Sequence, residues 1–567
     1  AEFRAQQFNS HGDYGVPTFV FDPSQTAGTF GANAGFGFAS FLLGDVNQGS
    51  VSEPDNTYGR RKSVSLYAQD DIKLTAKFTL NLDLRWDFNG RYHEKYGHWS
   101  NFDTTAINPV TGQPGALEFG TGGGDSFEKK QYYHNFSGYA GGAYRLTEKT
   151  VARASFGVYY VPLNLNTFSG IPYEFNPGFV LNNQVLTPFN WDSGYPGQGV
   201  NIGMNPNFTR YGMVSIDPRM LELGNVQELT VGLQHEISHD LVLDVTFIEN
   251  HGYHLESGYV DANQPRLSAY TALVQAGQQY SWVTKPGFAG FGWASVAPFP
   301  NVAMTYGPLY YVGSPLGNTD FRSLQFTVKK RAAHGLSMLA SYNLSSSHGD
   351  VDDSFEDLYA TGPLQDVYNL QQERQTISDF DQTHIVKGYV LYQLPFGQGK
   401  TLLSGGSPAL NAFVSGWAVS GGFHYNTGIP MRIPANVYYP GINNVYSDMV
   451  PGCDFSEHFN GQVGNTYFNP ACFTNPANGE FGNAPGYLAS LRNPGFASED
   501  VGLRKSLGLG ERSRLSLYFQ AFNVFNRHGF NGPNTQIGTA DFAKVLPEDL
   551  NGLPGPRVGQ FGARFVF

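Results

Sequence analysis

FTLNLDLRWDFN, residues 78–89, alternates without a break. Phe78, Leu80, Leu82, Leu84, Trp86 and Phe88 fall on one side, and Thr79, Asn81, Asp83, Arg85, Asp87 and Asn89 on the other. A period of two belongs to a β-strand, whose successive side chains point to opposite faces. The run is about twice as long as the usual strand of about five to six residues. Weaker copies follow: Leu336, Met338, Ala340, Tyr342 and Leu344 alternate with mostly polar neighbours. Leu515, Leu517, Phe519 and Ala521 are opposed by Arg514, Ser516, Tyr518 and Gln520.

The connections say more than the strands. Strand-like runs at 62–74 and 77–90 meet across Leu74-Thr75-Ala76, and further pairs meet across LTEK (146–149), ISHD (237–240), AAHG (332–335) and GLGER (508–512). Between hairpins the links at about 91–131, 162–223, 255–320, 348–382 and 428–498 are long and rich in Gly, Pro, Asn, Asp and Tyr. Compact soluble domains rarely carry so many long loops. Short and long connections in alternation put every tight turn at one end of an up-and-down meander and every long loop at the other, the pattern of an outer-membrane β-barrel. The expected fold is all-β, an antiparallel transmembrane barrel wall of about 14 strands with both chain ends on the short-turn side. A propeller would repeat at a fixed period of about 40 to 50 residues, which these spacings do not.

Composition agrees. The chain has 567 residues, 41% hydrophobic, 15% aromatic and only 14% charged, which excludes a disordered chain and a coiled coil. A net charge of -12 with no long basic run gives a nucleic-acid partner no electrostatic support. The longest apolar stretches, such as FGFASFLL (36–43), fall far short of a membrane-spanning helix, and the opening AEFRAQQFN has no signal-peptide pattern. The abundant aromatics suit interfacial girdles, and the lipid-facing row must be apolar.

Candidate chemistry is sparse. Asp350, Asp352, Asp353, Glu356 and Asp357 share one predicted loop, but their spacing does not match an EF-hand, so a solvated loop is the expectation. His384 follows Asp379 and Asp381; this reads as the polar start of a strand rather than an acid–base pair. The stretch Leu507-Gly508-Leu509-Gly510-Glu511 joins two strands and lacks the strand-to-helix context of a phosphate cradle. G-x-S-x-G and H-E-x-x-H do not occur, and the histidines have no recurring spacing, so no catalytic residue, metal or cofactor is expected. Cys453 and Cys472, the only cysteines, lie in one loop-like stretch and suggest a disulfide formed in an oxidising compartment. Ligand-contact candidates are Tyr306, Tyr310, Tyr311, Tyr438, Tyr439 and Tyr446, with Asn443 and Asn444, because Tyr and Asn combine stacking faces with adaptable hydrogen bonds.

The chain resembles the C-terminal barrel portion of TonB-dependent outer-membrane receptors, specifically the Oar-like group with a carboxypeptidase-regulatory-like domain. The segments that carry the resemblance run in order: FASFLLGD (38–45), SVSLYAQDDIKLTAKFTLNLDLRWDF (63–88), YRLTEKTVARASFGVYY (144–160), ELTVGLQHEISHDLVLDVTFIENHGYHL (228–255) and RSLQFTVKKRAAHGLSMLASYNLSSS (322–347). SDFDQTHIVKGYVLYQLPFGQGK (378–400), SGWAVSGGFHYNTGIPM (415–431), LGERSRLSLYFQAFNVFN (509–526) and PRVGQFGARFVF (556–567) complete the set. The resemblance implies a plugged barrel of the 22-stranded kind. Residues 1–567 would then be an N-terminally truncated barrel domain, with signal peptide, TonB box and plug absent. The implied function is energised uptake of a large nutrient across the outer membrane, with the TonB system, outer-membrane lipid and an extracellular ligand as partners. A surface-adhesion barrel and an open diffusion pore are the alternatives. At the end of the chain, Phe561, Ala563, Phe565 and Phe567 alternate with Gly562, Arg564 and Val566, which resembles the signal by which the barrel assembly machinery recognises its clients.

Overall fold

The computed structural model describes residues 1–567 apart from 12–17, 31–33, 52–55, 98, 121–125, 128–130, 162–182, 186–187, 195–205, 208–212, 220–222, 258–259, 305–308, 350–363, 371–375, 443, 456–458, 510–512, 547–549 and 552–553. Its wall begins with β1 (Glu2–His11), β2 (Asn56–Lys73), β3 (Phe78–Asn89), β4 (Phe136–Thr147), β5 (Thr150–Tyr160), β6 (Asn225–Ser238) and β7 (Leu241–Ser257). It continues with β8 (Ser314–Ala333), β9 (Leu336–Gly349), β10 (His384–Gln393), β11 (Trp417–Asn426), β12 (Phe496–Gly508), β13 (Arg514–Phe522) and β14 (Val558–Val566). Each strand pairs with the next in sequence order and all these pairs are antiparallel; the short piece His93–Glu94 adds to β2. Among the described residues β1 pairs only with β2 and β14 only with β13, so the wall has two free edges.

Tight turns close β2–β3, β4–β5, β6–β7 and β8–β9 at one end. In the last, His334 and Gly335 have φ of 52° and 81°, the paired positive angles of the hairpin turn whose twist matches its strands. The connection 394–416 between β10 and β11 lies at the same end and is longer than the pattern expects; it carries the helix Pro408–Val414. β2 and β8 outrun their expected lengths at the long-loop end. There the strand rises past the lipid and polar alternation no longer marks it.

Register carries one face around the wall. Leu84 lies opposite Ala68 on β2 and Gly138 on β4, and Leu82 lies opposite Asp70 and Ala140. Leu84 is 59% exposed, as a lipid-facing side chain is without its lipid. Phe78, Leu80, Trp86 and Phe88 on the same row are only half-exposed, because Tyr144 stands against Phe78 and Trp86, Phe88 and Tyr133 stack on one another. Asp70 departs from the apolar row, but it sits near the short-turn end of β2, at interfacial depth. On the other face Arg85 bonds Asp87 at 2.9 Å and the Ser65 hydroxyl at 2.9 Å, with Glu2 at 3.6 Å.

β7 and β8 show the height of the lipid band. Their outward row reads Leu243, Val245 and Phe247 against Val328, Phe326 and Leu324. Below it Lys330 pairs with Asp240, and with the Ser238 hydroxyl it holds that turn carboxyl at about 2. Above it Arg322 bonds Glu249 at 2.8 Å, and His251 bridges Glu249 and Asp320. From Lys330 to Arg322, at about 3.3 Å per residue and a tilt of about 40°, the climb is about 20 Å, close to the apolar band of about 25 Å that such barrels present. Among the described residues no helix is long and apolar enough to cross a membrane; the crossing is made by strands.

Candidate functional site

The long loops, all at one end of the wall, are not loose. They build small sheets and cores of their own. The hairpin Ser100–Ile107 with Pro114–Phe119 packs Phe102 and Leu117 against Val302 and Leu309 of the β7–β8 loop. Met213–Ile216 lies parallel to Leu309–Val312, and the Ile216 N–H donates to the Asn101 side chain at 2.8 Å. The β11–β12 loop forms a second core of Met431, Ile433, Phe468, Phe473, Leu488 and Leu491, joined by Ile537 and Ala543 from the β13–β14 loop. A third core of Tyr270, Trp293, Tyr439, Ile442 and Val445 ties these loops together.

Three buried polar side chains fasten the assembly. Asp381 accepts from Arg492 at 2.6 Å, the Ser347 N–H at 2.7 Å and the Thr383 hydroxyl at 3.1 Å, while Arg492 also donates to the carbonyls of Asp381 and Gly428. Tyr467 donates to the Arg492 carbonyl at 2.7 Å, and burial pushes its hydroxyl up to about 12, so it stays a neutral donor. Gln365 accepts from the N–H groups of Tyr446 and Gly482, donates to the Gly482 carbonyl and receives Gln264 on its own carbonyl. Asp217 accepts from Arg219 at 2.6 Å and from Ser314, at the foot of β8, at 2.6 Å. Sequence reading singled out Asp381 only as a neighbour of His384, and it missed Gln365, Arg492 and Asp217. An isolated polar residue in a Gly- and Asn-rich loop carries no periodic signal.

The candidates fare differently. Tyr306, Asn443 and the acidic group Asp350, Asp352, Asp353, Glu356 and Asp357 lie outside the described residues. Tyr438 is 77% exposed and presents its ring to solvent. Tyr439 and Tyr446 are buried. The Tyr439 hydroxyl donates to the Ala477 carbonyl and accepts from the Gly479 N–H, and Tyr446 lies beneath Arg432, which also donates to Asn444. Tyr310 and Tyr311 are half-buried in Leu309–Val312; Tyr311 donates to Thr104 at 3.3 Å beside Arg219, and burial raises its pKa. His384 bonds Tyr342 at 2.9 Å on the outward face, away from Asp381. Among the described residues no group of His, Cys, Asp and Glu is arranged to hold a metal.

A cavity of about 310 Å³ opens where the 100–119 hairpin meets residues 285–302. Phe102, Phe288 and Phe299 line it together with Asn108, Asn207, Asn301 and Lys285. Gly115, at φ of 103°, permits the approach: a Cβ there would stand 2.7 Å from the rings of Phe102 and Phe299. Aromatic walls with a few directed polar groups are the makings of a small-molecule site.

Cys453 and Cys472 form a disulfide, their Cα atoms 5.5 Å apart, and Cys472 is fully buried in the second loop core. Replacing both by serine should loosen this loop by up to roughly 3 kcal/mol in the chain-entropy picture. Faster proteolysis within 427–495 with an unchanged unfolding transition of the wall is the expected outcome; unchanged proteolysis would show that the core alone holds the loop.

Long antiparallel strands with an apolar outer band, bounded by ion pairs and aromatic rings, define an integral outer-membrane β-barrel protein. The family described as outer membrane beta barrel domain matches residues 1–560, and the chain belongs to it. Solved structures of similar fold include the ferripyoverdine receptor of the outer membrane of Pseudomonas aeruginosa, 12% identical with a TM-score of 0.39, covering 91% of this chain and 41% of that one. The ferric-catecholate import receptor Fiu of Escherichia coli K12 is 10% identical with a TM-score of 0.38, covering 92% and 50%. The ferric citrate transporter FecA is 11% identical with a TM-score of 0.39, again covering 92% and 50%. The chain thus spans half or less of the length of these three receptors. No curated protein sequence matches it.

Proposed function

We propose that this chain supplies wall strands and the ligand-capturing loops of a TonB-dependent receptor of the Oar-like group, which imports a large nutrient across the outer membrane without chemically altering it. The observation that carries the reading is the folding of the long loops into one face with its own cores, a disulfide and a cavity, above a lipid-matched wall. Tyr438 and the cavity between 100–119 and 285–302 are the proposed contact points. The free edges of β1 and β14 support a wall completed by further strands, because unpaired backbone groups in a bilayer cost several kcal/mol each. A plug within that larger barrel would couple to the TonB system.

Planar-bilayer recording of the whole protein tests this reading. A plugged receptor gives no steady current, and in cells its uptake stops when TonB is deleted. A stable open conductance would mean a diffusion pore instead, and cell-surface binding with no TonB-dependent uptake would mean an adhesion barrel.

For the last strand we propose recognition by the barrel assembly machinery. Phe561, Ala563 and Phe565 face outward opposite Phe519, Leu517 and Leu515; Phe561 is 86% and Phe567 92% exposed. Deleting Phe567 from the whole protein should lower the amount assembled in the outer membrane while synthesis is unchanged. Normal surface levels in that deletion would remove the assembly role and leave the strand in place.

A further inference from the structure

The connection between β10 and β11 breaks the rule that this end of the wall has only tight turns, and its contents are specific. Ser407 caps the helix Pro408–Val414 by accepting from the Leu410 N–H, and Asn411 turns inward to bond Gln398. Leu410 and Phe413, three residues apart, share the opposite face; Phe413 is 72% exposed, and Leu402 and Leu403 just before the helix are also exposed.

Two side chains of the wall hold the end of this helix. Lys505 and Trp417 lie opposite one another in register, on the outward row that continues through Leu503 with Val419. Val501 and Leu503 above Lys505 are exposed, yet Lys505 itself is buried. Its ammonium donates to the carbonyls of Ala412 at 2.7 Å, Phe413 at 2.8 Å and Ser415, and it lies 5.2 Å from the Trp417 ring. The Trp417 indole donates to the Phe413 carbonyl at 2.9 Å. A lysine on a lipid-facing row is thereby solvated by the carbonyls of a helix terminus, which have no partner within the helix and lie where a cation is favoured. The helix therefore hangs from the lipid side of the wall's rim, not from its lumen side.

We propose that this helix is an interfacial anchor: Leu410 and Phe413 insert into the periplasmic leaflet of the outer membrane, at the depth of the Trp417 ring. The occupant is lipid because the apolar face is continuous, through Trp417 and Lys505, with the lipid-facing wall. An apolar helical face beside a Trp at the headgroup boundary is how a short segment lies in a membrane interface. Such an anchor fixes the height and tilt of β10 to β12, which carry the loop held by Arg492.

The test uses the whole protein in vesicles of phosphatidylethanolamine and phosphatidylglycerol, with a nitroxide attached at Phe413→Cys, Leu410→Cys or, for comparison, Lys400→Cys. Labels at 413 and 410 should collide readily with oxygen, which concentrates in lipid, and several-fold less with a water-soluble nickel chelate. The label at 400 should show the reverse. Nickel access at 413 equal to that at 400 would put the helix in periplasmic water and overturn the proposal. Shielding from both reagents would mean that protein covers the face, and would overturn it equally. If the cysteine variants assemble poorly, Phe413→Trp answers the same question: its added emission is quenched by brominated lipid if the proposal holds, and is unaffected if it fails.

Discussion

Arg492→Ala should free the β11–β12 loop from the wall, at a cost of about 3 to 5 kcal/mol to the folded loop face, the range for breaking a buried ion pair by removing one partner. The reason is what the substitution leaves behind. The Asp381 side chain is 1% exposed, and without the guanidinium it keeps the Ser347 N–H and the Thr383 hydroxyl but remains a buried charge with no counter-charge in this cluster. The carbonyls of Asp381, Gly428 and Ala489 lose their donor in the same step. Protease cleavage within 427–495 should accelerate strongly, while the wall, held by its own ladder, keeps its unfolding midpoint. Adding Asp381→Asn to Arg492→Ala should recover part of the loss, since the amide has no charge to strand. If the single variant is cut no faster than the parent, the pair is not what fastens the loop.

That pair also marks where sequence reading succeeds and where it stops. The wall was legible because lipid imposes one rule on every strand: each outward side chain at hydrocarbon depth must be apolar, so a period of two survives from Phe78 to Phe88 and again from Phe561 to Phe565. No such rule governs the loops. Tyr438 and Tyr439 are neighbours of identical type, yet one is exposed and the other is fixed by backbone groups of Ala477 and Gly479, 38 and 40 residues away. Gln365 looks like a solvated loop residue and is buried, because its side-chain amide bonds Tyr446 and Gly482 while its backbone carbonyl accepts from Gln264, which joins three loops. The helix at 408–414 escaped notice for a related reason: in a seven-residue element the apolar face consists of Leu410 and Phe413 alone, too few to set a period.

The lipid face itself yields a graded expectation. Val245 lies on the outward row of β7, between Leu233 on β6 and Phe326 on β8, midway between the Lys330–Asp240 and Arg322–Glu249 pairs. Val245→Arg should cost about 2 to 4 kcal/mol, the price of a cation at the bilayer midplane, where a guanidinium must reach far to find water. Ser346→Arg, on the same face but at the level of Arg322, should cost only about 0 to 1 kcal/mol, because that depth is interfacial. Thr246→Arg reverses the side chain to the lumen, where Thr246 bonds Asp244 at 2.7 Å, so the new cation meets a carboxylate instead of lipid and the loss should be small. Urea titration of the three variants of the whole protein in vesicles gives the order directly. Equal losses for Val245→Arg and Thr246→Arg would mean that the two faces do not differ, and a larger loss for Thr246→Arg would turn the wall inside out. Only the order Val245 well above Ser346 and Thr246 matches a wall whose outward row meets hydrocarbon at this height.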